Sequence, residues 1–104
     1  MPGAYVIVDT AIHDAEAYEP YKAAARPIVE KHGGRYIVRG GAMEALETDL
    51  WAPSRLVVIR FPDLAAARAF IDDPDYAPWR ERRRAAARCS LTLVEGFEDD
   101  DLTA

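Results

Sequence analysis

The chain has 104 residues, of which 50% are apolar and 30% are charged, a composition typical of a single folded domain. Its 13 basic and 18 acidic residues give a net charge of −5, which argues against nucleic acid and membrane surfaces as partners. No apolar run approaches the ~20 residues that cross a bilayer, and the first residues lack the basic segment of a secretion signal. The only cysteine is Cys89, so there is no disulfide framework and we expect a cytoplasmic protein.

The first half of the chain predicts a strand, a long helix and a second strand. Residues Ala4–Asp9 are β-branched and aromatic, which is typical of a strand. Asp14 is suited to cap the helix that follows, and Pro27 within that helix predicts a kink or a restart. Residues 35–39 predict a short strand, because the glycine pairs at 33–34 and 40–41 permit a tight turn at each end.

The second half of the chain predicts another strand and two helices. Residues 42–50 fit either a short edge strand or an irregular loop, whereas residues 55–61 have the clearest strand pattern in the chain. Asp63 is expected to cap the first of these helices. Asp73 is expected to cap the second, with Pro74 at its first position.

A final strand at residues 90–95 completes the order β-α-β-β-α-α-β. This order fits a ferredoxin-like split βαβ fold of the α+β class, in which a four-stranded antiparallel sheet carries its helices on one face. We expect residues 1–97 to form this single domain and residues 98–104 to form an acidic C-terminal tail.

The predicted strands are apolar on both of their faces. A sheet with one face in water alternates apolar and polar residues, but residues 6–8, 36–38 and 56–59 contain no such alternation. The predicted helices are enough to cover one face only. We therefore predict a homodimer in which two sheets meet face to face and close a shared α/β barrel.

Six short stretches of the chain form a distinctive set: Tyr18-x-x-Tyr21, Gly33–Gly41, Glu44-x-Leu46-Glu47, Arg55–Pro62, Asp73-Pro74-x-Tyr76 and Leu93–Gly96. With them the chain resembles the domain of unknown function 1330 family over residues 4–96. The resemblance implies the dimeric α/β-barrel superfamily, with a ferredoxin-like protomer and a two-fold dimer. That superfamily includes metal-independent monooxygenases, haem-degrading enzymes, isomerases and dye peroxidases, so the resemblance implies a fold and a cleft without one particular reaction.

Two arginines are candidates for binding an anion. Arg39 ends an apolar strand beside two glycines, where a guanidinium is suited to bind a carboxylate or an enolate through two hydrogen bonds. The alternative for Arg39 is a structural ion pair. Arg83 falls on the inward face of its helix, where it requires a partner or an anion. We interpret the neighbouring arginines at 80, 82 and 84 as a solvated helix face.

Aromatic residues and a histidine complete the candidate site. Tyr21, Tyr76 and Trp79 lie on inward helix faces, where they either fill the core or border a cleft and bind a substrate. His13 follows the first strand and is a candidate general base, with a solvated loop histidine as the alternative. His32 lies in the last turn of its helix and is interpreted as structural.

The remaining residue types do not indicate a metal or a cofactor. Two separated histidines and one cysteine lack the spacing of a metal site, and no glycine-rich loop leads from a strand into a helix to bind a phosphate. We therefore predict either a metal-independent enzyme, of isomerase or monooxygenase type, acting on a small organic acid or aromatic, or a non-catalytic ligand-binding or structural dimer. The predicted catalytic residues are His13 and Arg39, and the predicted substrate-binding residues are Tyr21, Arg39, Tyr76, Trp79 and Arg83.

Overall fold

The computed structural model describes residues 2–97, so the acidic tail predicted at 98–104 lies outside the described residues. Within residues 2–97, four strands and three helices follow one another in the predicted order. The strands are β1 (Ala4–Ile12), β2 (Arg35–Arg39), β3 (Leu56–Phe61) and β4 (Ala87–Glu95). The helices are α1 (Ala15–Lys31), α2 (Leu64–Ile71) and α3 (Ala77–Ala86). None of these helices has the length and apolarity required to span a membrane.

The strands form one antiparallel sheet in the order β2-β3-β1-β4. The helices pack on one face of this sheet, where Val29 of α1 and Phe70 of α2 share a buried core with Val6 and Ile59. The shortest dimension of the protein is 19 Å, which corresponds to one layer of helices on one sheet. The predicted fold class, α+β with a ferredoxin-like split βαβ order, is therefore confirmed.

Helix α1 has the predicted cap and continues through its proline. The carboxylate of Asp14 accepts a hydrogen bond from the backbone N–H of Ala17 at 3.1 Å. The helix is continuous across Pro27, so the predicted restart is wrong. Ala25 and Val29 are buried in the core on either side of Pro27, and their packing offsets the hydrogen bond that the proline removes.

Helix α3 begins at Ala77, later than the predicted start at Pro74 with Asp73 as its cap. Asp73 closes a turn instead, because its Oδ1 accepts a hydrogen bond from the backbone N–H of Asp75 at 2.8 Å. The carbonyl oxygen of Asp73 accepts another from the backbone N–H of Tyr76 at 2.9 Å. The second carboxylate oxygen faces the end of α1, so this side chain joins two helices rather than capping one.

Strands β1 and β4 are both longer than predicted. β1 continues beyond Asp9 to Ile12, and β4 begins at Ala87 rather than at Ser90. The two extensions pair with each other, since residues 10–12 lie opposite residues 87–89. Each extension is therefore stabilised by hydrogen bonds to the other, which the local residue pattern does not show.

The sheet face that carries no helices, which we call the open face, is apolar at its centre and polar along β4. Val38, Val58, Ile7 and Thr92 form one row across all four strands on this face. The apolar stretches identified in the sequence supply the first three of these residues. β4 adds a mostly polar edge through Arg88, Ser90 and Thr92, with the apolar Val94 near its end.

Residues 41–53 form a loop without strand pairing, which decides between the two structures predicted for residues 42–50. Large apolar side chains of this loop face the solvent, with Leu46 86% exposed and Leu50 99% exposed. Trp51 is hydrogen-bonded to β1, since its Nε1 donates to the carboxylate of Asp9 at 2.9 Å. The loop and the open face together leave an unusual amount of apolar surface uncovered.

Candidate functional site

A small cavity lies between α1, α3 and the helix-covered face of the sheet. The valines at positions 6, 8 and 57 form part of its apolar floor. Tyrosines and cationic residues make up much of the remaining lining: Tyr18, Tyr21, Tyr36, Tyr76, Lys22, Arg39, Arg55 and Arg83. The cavity volume is about 20 Å³, which holds a single water molecule and leaves no room for an organic ligand without movement of side chains.

Two tyrosine hydroxyls meet inside this cavity. The hydroxyl oxygens of Tyr21 and Tyr76 are 2.8 Å apart and share a hydrogen bond. Burial, together with the neighbouring Tyr76, raises the pKa of Tyr21 far above its ordinary value, so this hydroxyl stays protonated. One hydroxyl donates to the other, and the accepting hydroxyl therefore keeps its own proton to donate to a ligand. The pair is suited to stabilise a negatively charged oxygen.

Arg83 of α3 is a buried cation without a carboxylate partner among the described residues. Only 3% of its surface is exposed, and its Nε has no hydrogen-bond partner within residues 2–97. Its Cζ lies 6.0 Å from the ring centroid of Tyr21, and the guanidinium shares the cavity with the hydroxyl pair. The neighbouring Arg80 and Arg84 are different, since both contact the carboxylate of Glu81. The Cys89 side chain hydrogen-bonds to the Arg83 guanidinium, but a buried Nε without a partner still favours an anion as its missing acceptor.

A β-bulge in β2 directs Arg39 toward the cavity. The register between β2 and β3 shifts between Tyr36 and Val38, so Ile37 has no partner on β3. In a regular strand, residues three apart point to opposite faces, but the bulge brings both Tyr36 and Arg39 to the cavity. The Cζ of Arg39 lies 4.5 Å from the ring centroid of Tyr36, and its Nη2 donates to the carbonyl oxygen of Lys22 at 3.1 Å.

Arg55 and Lys22 lie beside Arg39, and we call these three residues the mouth cluster. The Cζ of Arg55 and the Nζ of Lys22 are each 5.9 Å from the ring centroid of Tyr18. The carboxylate of Asp9 accepts a hydrogen bond from the backbone N–H of Arg55 at 3.0 Å, which fixes the start of β3. The Arg55 side chain lies against Gly40, where an added Cβ would stand 2.7 Å from its Nε. Gly40 has φ = +69°, so glycine both turns the chain and leaves room for the guanidinium.

The structure brings four of the predicted site residues together in this cavity: Tyr21, Arg39, Tyr76 and Arg83. The other two lie elsewhere. Trp79 packs at the edge of the core, with the Cζ of Arg82 5.7 Å from its ring centroid. His13 is exposed in the turn between β1 and α1, where its backbone N–H donates to the carbonyl oxygen of Ala86.

Lys22, Arg55 and Tyr36 also line the cavity, although they were not among the predicted site residues. The position of Arg55 beside Arg39 follows from the register between β2 and β3. Arg39 lies opposite Val57, and Arg55 precedes Val57 by two positions, so it is directed to the same face of the sheet. The sequence does not distinguish Lys22 as a site residue, since lysines are common on the exposed faces of helices.

The residues that line the cavity suit an anion rather than a metal ion. They include four cationic side chains and neither a carboxylate, a histidine nor a thiol. Divalent metals in proteins are bound by those missing ligands. Among residues 2–97 as a whole, no group of three or more histidine, cysteine, aspartate or glutamate residues is arranged to hold a metal ion.

Comparison with known proteins identifies one family and several similar folds. The family model described as "Domain of unknown function (DUF1330)" matches residues 3–97. No curated protein matches the chain. Among solved structures, a protein of unknown function from Rhodopseudomonas palustris, RPA0582, is 19% identical with a TM-score of 0.73, and the match covers 93% of this chain and 84% of that one.

Two further solved structures share the fold at lower identity. SnoaB, a cofactor-independent oxygenase from Streptomyces nogalater, is 15% identical with a TM-score of 0.68, over 94% of this chain and 96% of that one. A dimeric ferredoxin-like protein of unknown function from Jannaschia sp. CCS1 is 14% identical with a TM-score of 0.67, over 89% of this chain and 98% of that one. At these identities the similarity concerns the fold.

Proposed function

The chain belongs to the DUF1330 family, and we propose that it binds a small organic acid or acidic aromatic in the cavity and converts it without a metal. The reaction is an isomerisation or an oxygenation that passes through an enolate or phenolate of the substrate. Arg83 carries this proposal, because a buried guanidinium without a carboxylate partner in residues 2–97 lies beside two hydrogen-bonded hydroxyls. The likeness in fold to a cofactor-independent oxygenase supports the reaction class.

The chemistry follows from which groups surround the substrate oxygen. An enol or phenol that ionises in solution before it binds leaves its proton in water, and the electron pair remains on its oxygen. Arg83 and the free hydroxyl proton of the pair formed by Tyr21 and Tyr76 stabilise this charge in a dry, preorganised site. The anion then takes up a proton from water at a carbon of its conjugated system, which converts the enol to its keto isomer, or transfers an electron to dioxygen to give a substrate radical and superoxide, which begins an oxygenation.

The proposed roles differ from the sequence-based expectation at His13 and Arg39. Tyr21 keeps its predicted role in binding the substrate, as a hydrogen-bond donor, because burial raises its pKa and keeps the hydroxyl protonated. His13 is given no role, since it does not line the cavity. Arg39 is assigned to the mouth, where it attracts and holds the acid group of the substrate.

Binding of an organic ligand requires the cavity to widen from its present 20 Å³. The exposed Arg39 and the half-buried Lys22 and Arg55 are the side chains best placed to move, because they are partly in solvent at the mouth. The small volume also favours a second candidate function, a structural protein whose cavity is simply part of a filled core. These two functions give different results in a binding experiment.

The test is a thermal-shift screen of small carboxylic acids and acidic phenols, followed by product analysis of every ligand that stabilises the protein. Arg83→Met is the informative variant and Arg84→Met is its matched control, since Arg84 lies on the same helix with 65% of its side chain exposed. We expect acids to raise the Tm of the wild type and of Arg84→Met but not of Arg83→Met. Turnover should be lost together with this stabilisation.

Three outcomes distinguish the alternatives. Stabilisation with product formation supports the enzyme. Stabilisation of the wild type without any product, with and without oxygen, identifies a binding protein and contradicts the catalytic part of the proposal. The absence of stabilisation by every acid in the panel leaves the structural function and overturns the proposal.

We also propose that the protein is a homodimer joined through the open face, with the two sheets forming a shared barrel. Val58 and Ile7 lie on the two central strands of this face, Val38 lies on the edge strand β2, and polar residues of β4 lie at the opposite edge. This arrangement of an apolar centre and a polar rim is that of a protein interface. A protein of similar fold is described as dimeric, which supports a dimer.

Size-exclusion chromatography with light scattering tests the dimer. The wild type should have twice the chain mass of 11.6 kDa. Val58→Lys places an ammonium at the centre of the apolar row and should yield a monomer, whereas Thr92→Lys in the same row should remain dimeric. A wild-type species of 11.6 kDa at working concentration would contradict the proposal.

A further inference from the structure

The positive charge around the cavity is divided into two separate groups. Arg83 forms the inner pole, beside the hydroxyl pair. The mouth cluster of Lys22, Arg39 and Arg55 forms the outer pole. This concentration of four cations is notable in a chain whose net charge is −5, and none of the residues that line the cavity is acidic. A local field of this sign attracts anions against the overall charge of the protein.

The cations of the two poles differ in how many hydrogen-bond and ion-pair partners they already have. At the inner pole, Arg83 is buried and its Nε has no partner within residues 2–97. At the outer pole, Lys22 pairs with Glu19 at 3.2 Å on the exposed surface, and Arg39 donates to a backbone carbonyl. Arg55 contacts no carboxylate in the described part of the chain. Each pole therefore retains at least one guanidinium able to bind an acidic group.

Two aromatic rings separate the poles. The ring of Tyr18 lies next to the cations of the mouth, with Arg55 Cζ 5.9 Å from its centroid. The ring of Tyr21 lies next to the inner pole, with Arg83 Cζ 6.0 Å from its centroid. The centroids of these two rings are 5.4 Å apart. A ligand that contacts both poles must therefore extend past both rings, with an apolar body against the valine floor.

We infer that the substrate is a dianion, with one acidic group at each end of a flat conjugated or aromatic body. This inference rests on the proposed function and specifies its substrate class. The outer group is a carboxylate bound by the mouth cluster. The inner group is a carboxylate, enolate or phenolate oxygen that accepts hydrogen bonds from Arg83 and from the tyrosine hydroxyl pair. A monoanion satisfies one pole only and binds more weakly.

Isothermal titration calorimetry with benzoate and terephthalate tests this inference, since the two probes share a ring and differ by one carboxylate. Terephthalate has two equivalent carboxylates, and this statistical factor alone makes its affinity about twofold higher than that of benzoate. Contact of the second carboxylate with a second charged pole should make its affinity higher by roughly tenfold or more. We expect Arg83→Met and Arg39→Gln each to reduce this preference to about twofold. Arg84→Met and Arg35→Gln, which change exposed arginines on the same helix and strand, should retain the wild-type preference.

The possible results separate the inference from the proposed function. If both probes bind with the same affinity, within the twofold factor, the dianion is excluded while an anion-binding cavity remains. If neither probe binds to the wild type, the dianion inference is overturned, and the proposed function falls with it when the acids of the thermal-shift panel also fail to stabilise the protein. Should Arg83→Met fail to fold, Arg83→Lys replaces it, because lysine keeps the charge but loses the two-pronged contact and should lower the terephthalate preference.

Discussion

Two buried charged side chains, Asp73 and Arg83, differ in whether they have partners of opposite charge. Asp73 lies where the end of α1 meets the turn between α2 and α3, with 6% of its surface exposed. Its carboxylate is 2.8 Å from the Nζ of Lys31 and 2.7 Å from the Nε2 of His32, and it also accepts the backbone N–H of Asp75. Arg83 lies beside the cavity with 3% exposed and no carboxylate partner within residues 2–97.

We interpret Asp73 as a structural charge and propose that Arg83 is a functional one. The cost of burying Asp73 is offset by partners from two parts of the chain, so the residue joins them and contributes to stability. The cost of burying Arg83 is not offset by any carboxylate of the described chain. Stability alone does not account for such a residue, whereas an anionic ligand does. The following predictions test this contrast, beginning with the largest expected effect.

Replacing Asp73 with alanine should destabilise the protein more than any of the substitutions that follow. The substitution leaves Lys31 and His32 without their shared carboxylate and removes the acceptor for the N–H of Asp75. We expect thermal unfolding to show a Tm lower by roughly 10 °C. Asp75→Ala is the control, because within residues 2–97 the exposed Asp75 carboxylate contacts only Lys31, at 3.4 Å, and its loss should change the Tm by about 2 °C or less. Equal losses in the two variants would show that the network is unimportant.

The contribution of Asp73 should disappear in acid. Hydrogen bonds from Lys31, then from His32 and the backbone of Asp75, lower the pKa of Asp73 below its ordinary value of 3.8. A carboxylate whose pKa is lower in the folded state stabilises the fold above the unfolded pKa and loses that effect as the pH falls through the folded pKa. The Tm difference between the wild type and Asp73→Ala should therefore be constant above about pH 5 and shrink below pH 3.8. A difference that stays constant down to about pH 2 would contradict the charged interaction.

Most of the fold was predictable because its signals are local. Asp14 and Asp63 were identified as helix caps from residue type and position alone, and both accept the expected backbone hydrogen bond. The predicted start of α3 was wrong because the Asp73-Pro74 pattern suits a turn as well as the beginning of a helix. The turn forms because distant residues at the end of α1 bind the Asp73 carboxylate. The extra length of β1 was likewise decided by a strand far away in sequence.

The candidate site was predictable only where a residue type was unusual in its position. Arg83 was selected because a cation on an inward helix face needs an explanation. Arg39 was selected for the glycines beside it, but the bulge at Ile37 that directs it to the cavity has no signature in the sequence. Arg55 was missed because its place beside Arg39 follows from the register of β2 and β3, which single-strand patterns do not specify.

The hydroxyl pair should make a small and measurable contribution to stability. Tyr21→Phe and Tyr76→Phe each remove one partner of the 2.8 Å hydrogen bond, and the double variant removes both. The double-mutant cycle, measured by urea unfolding, should give a coupling free energy of about 0.5–1.5 kcal/mol. A coupling near zero would indicate that the hydroxyls are not bonded to each other in solution, and it would weaken their assignment as a joint donor to the substrate.

The smallest expected change in Tm is that of Arg83→Met. This measurement decides whether Arg83 is a structural charge like Asp73 or a charge that serves a ligand. Methionine has a similar length and fills the same space without a charge to desolvate, so Arg83→Met should leave the Tm within about 2 °C of the wild type or raise it. The same measurement on the exposed Arg84→Met provides the baseline for losing an arginine from α3. A loss comparable to that of Asp73→Ala would place Arg83 among the structural charges. An unchanged Tm together with lost anion binding would mean that this cation is kept for its ligand, since the folded chain does not need it.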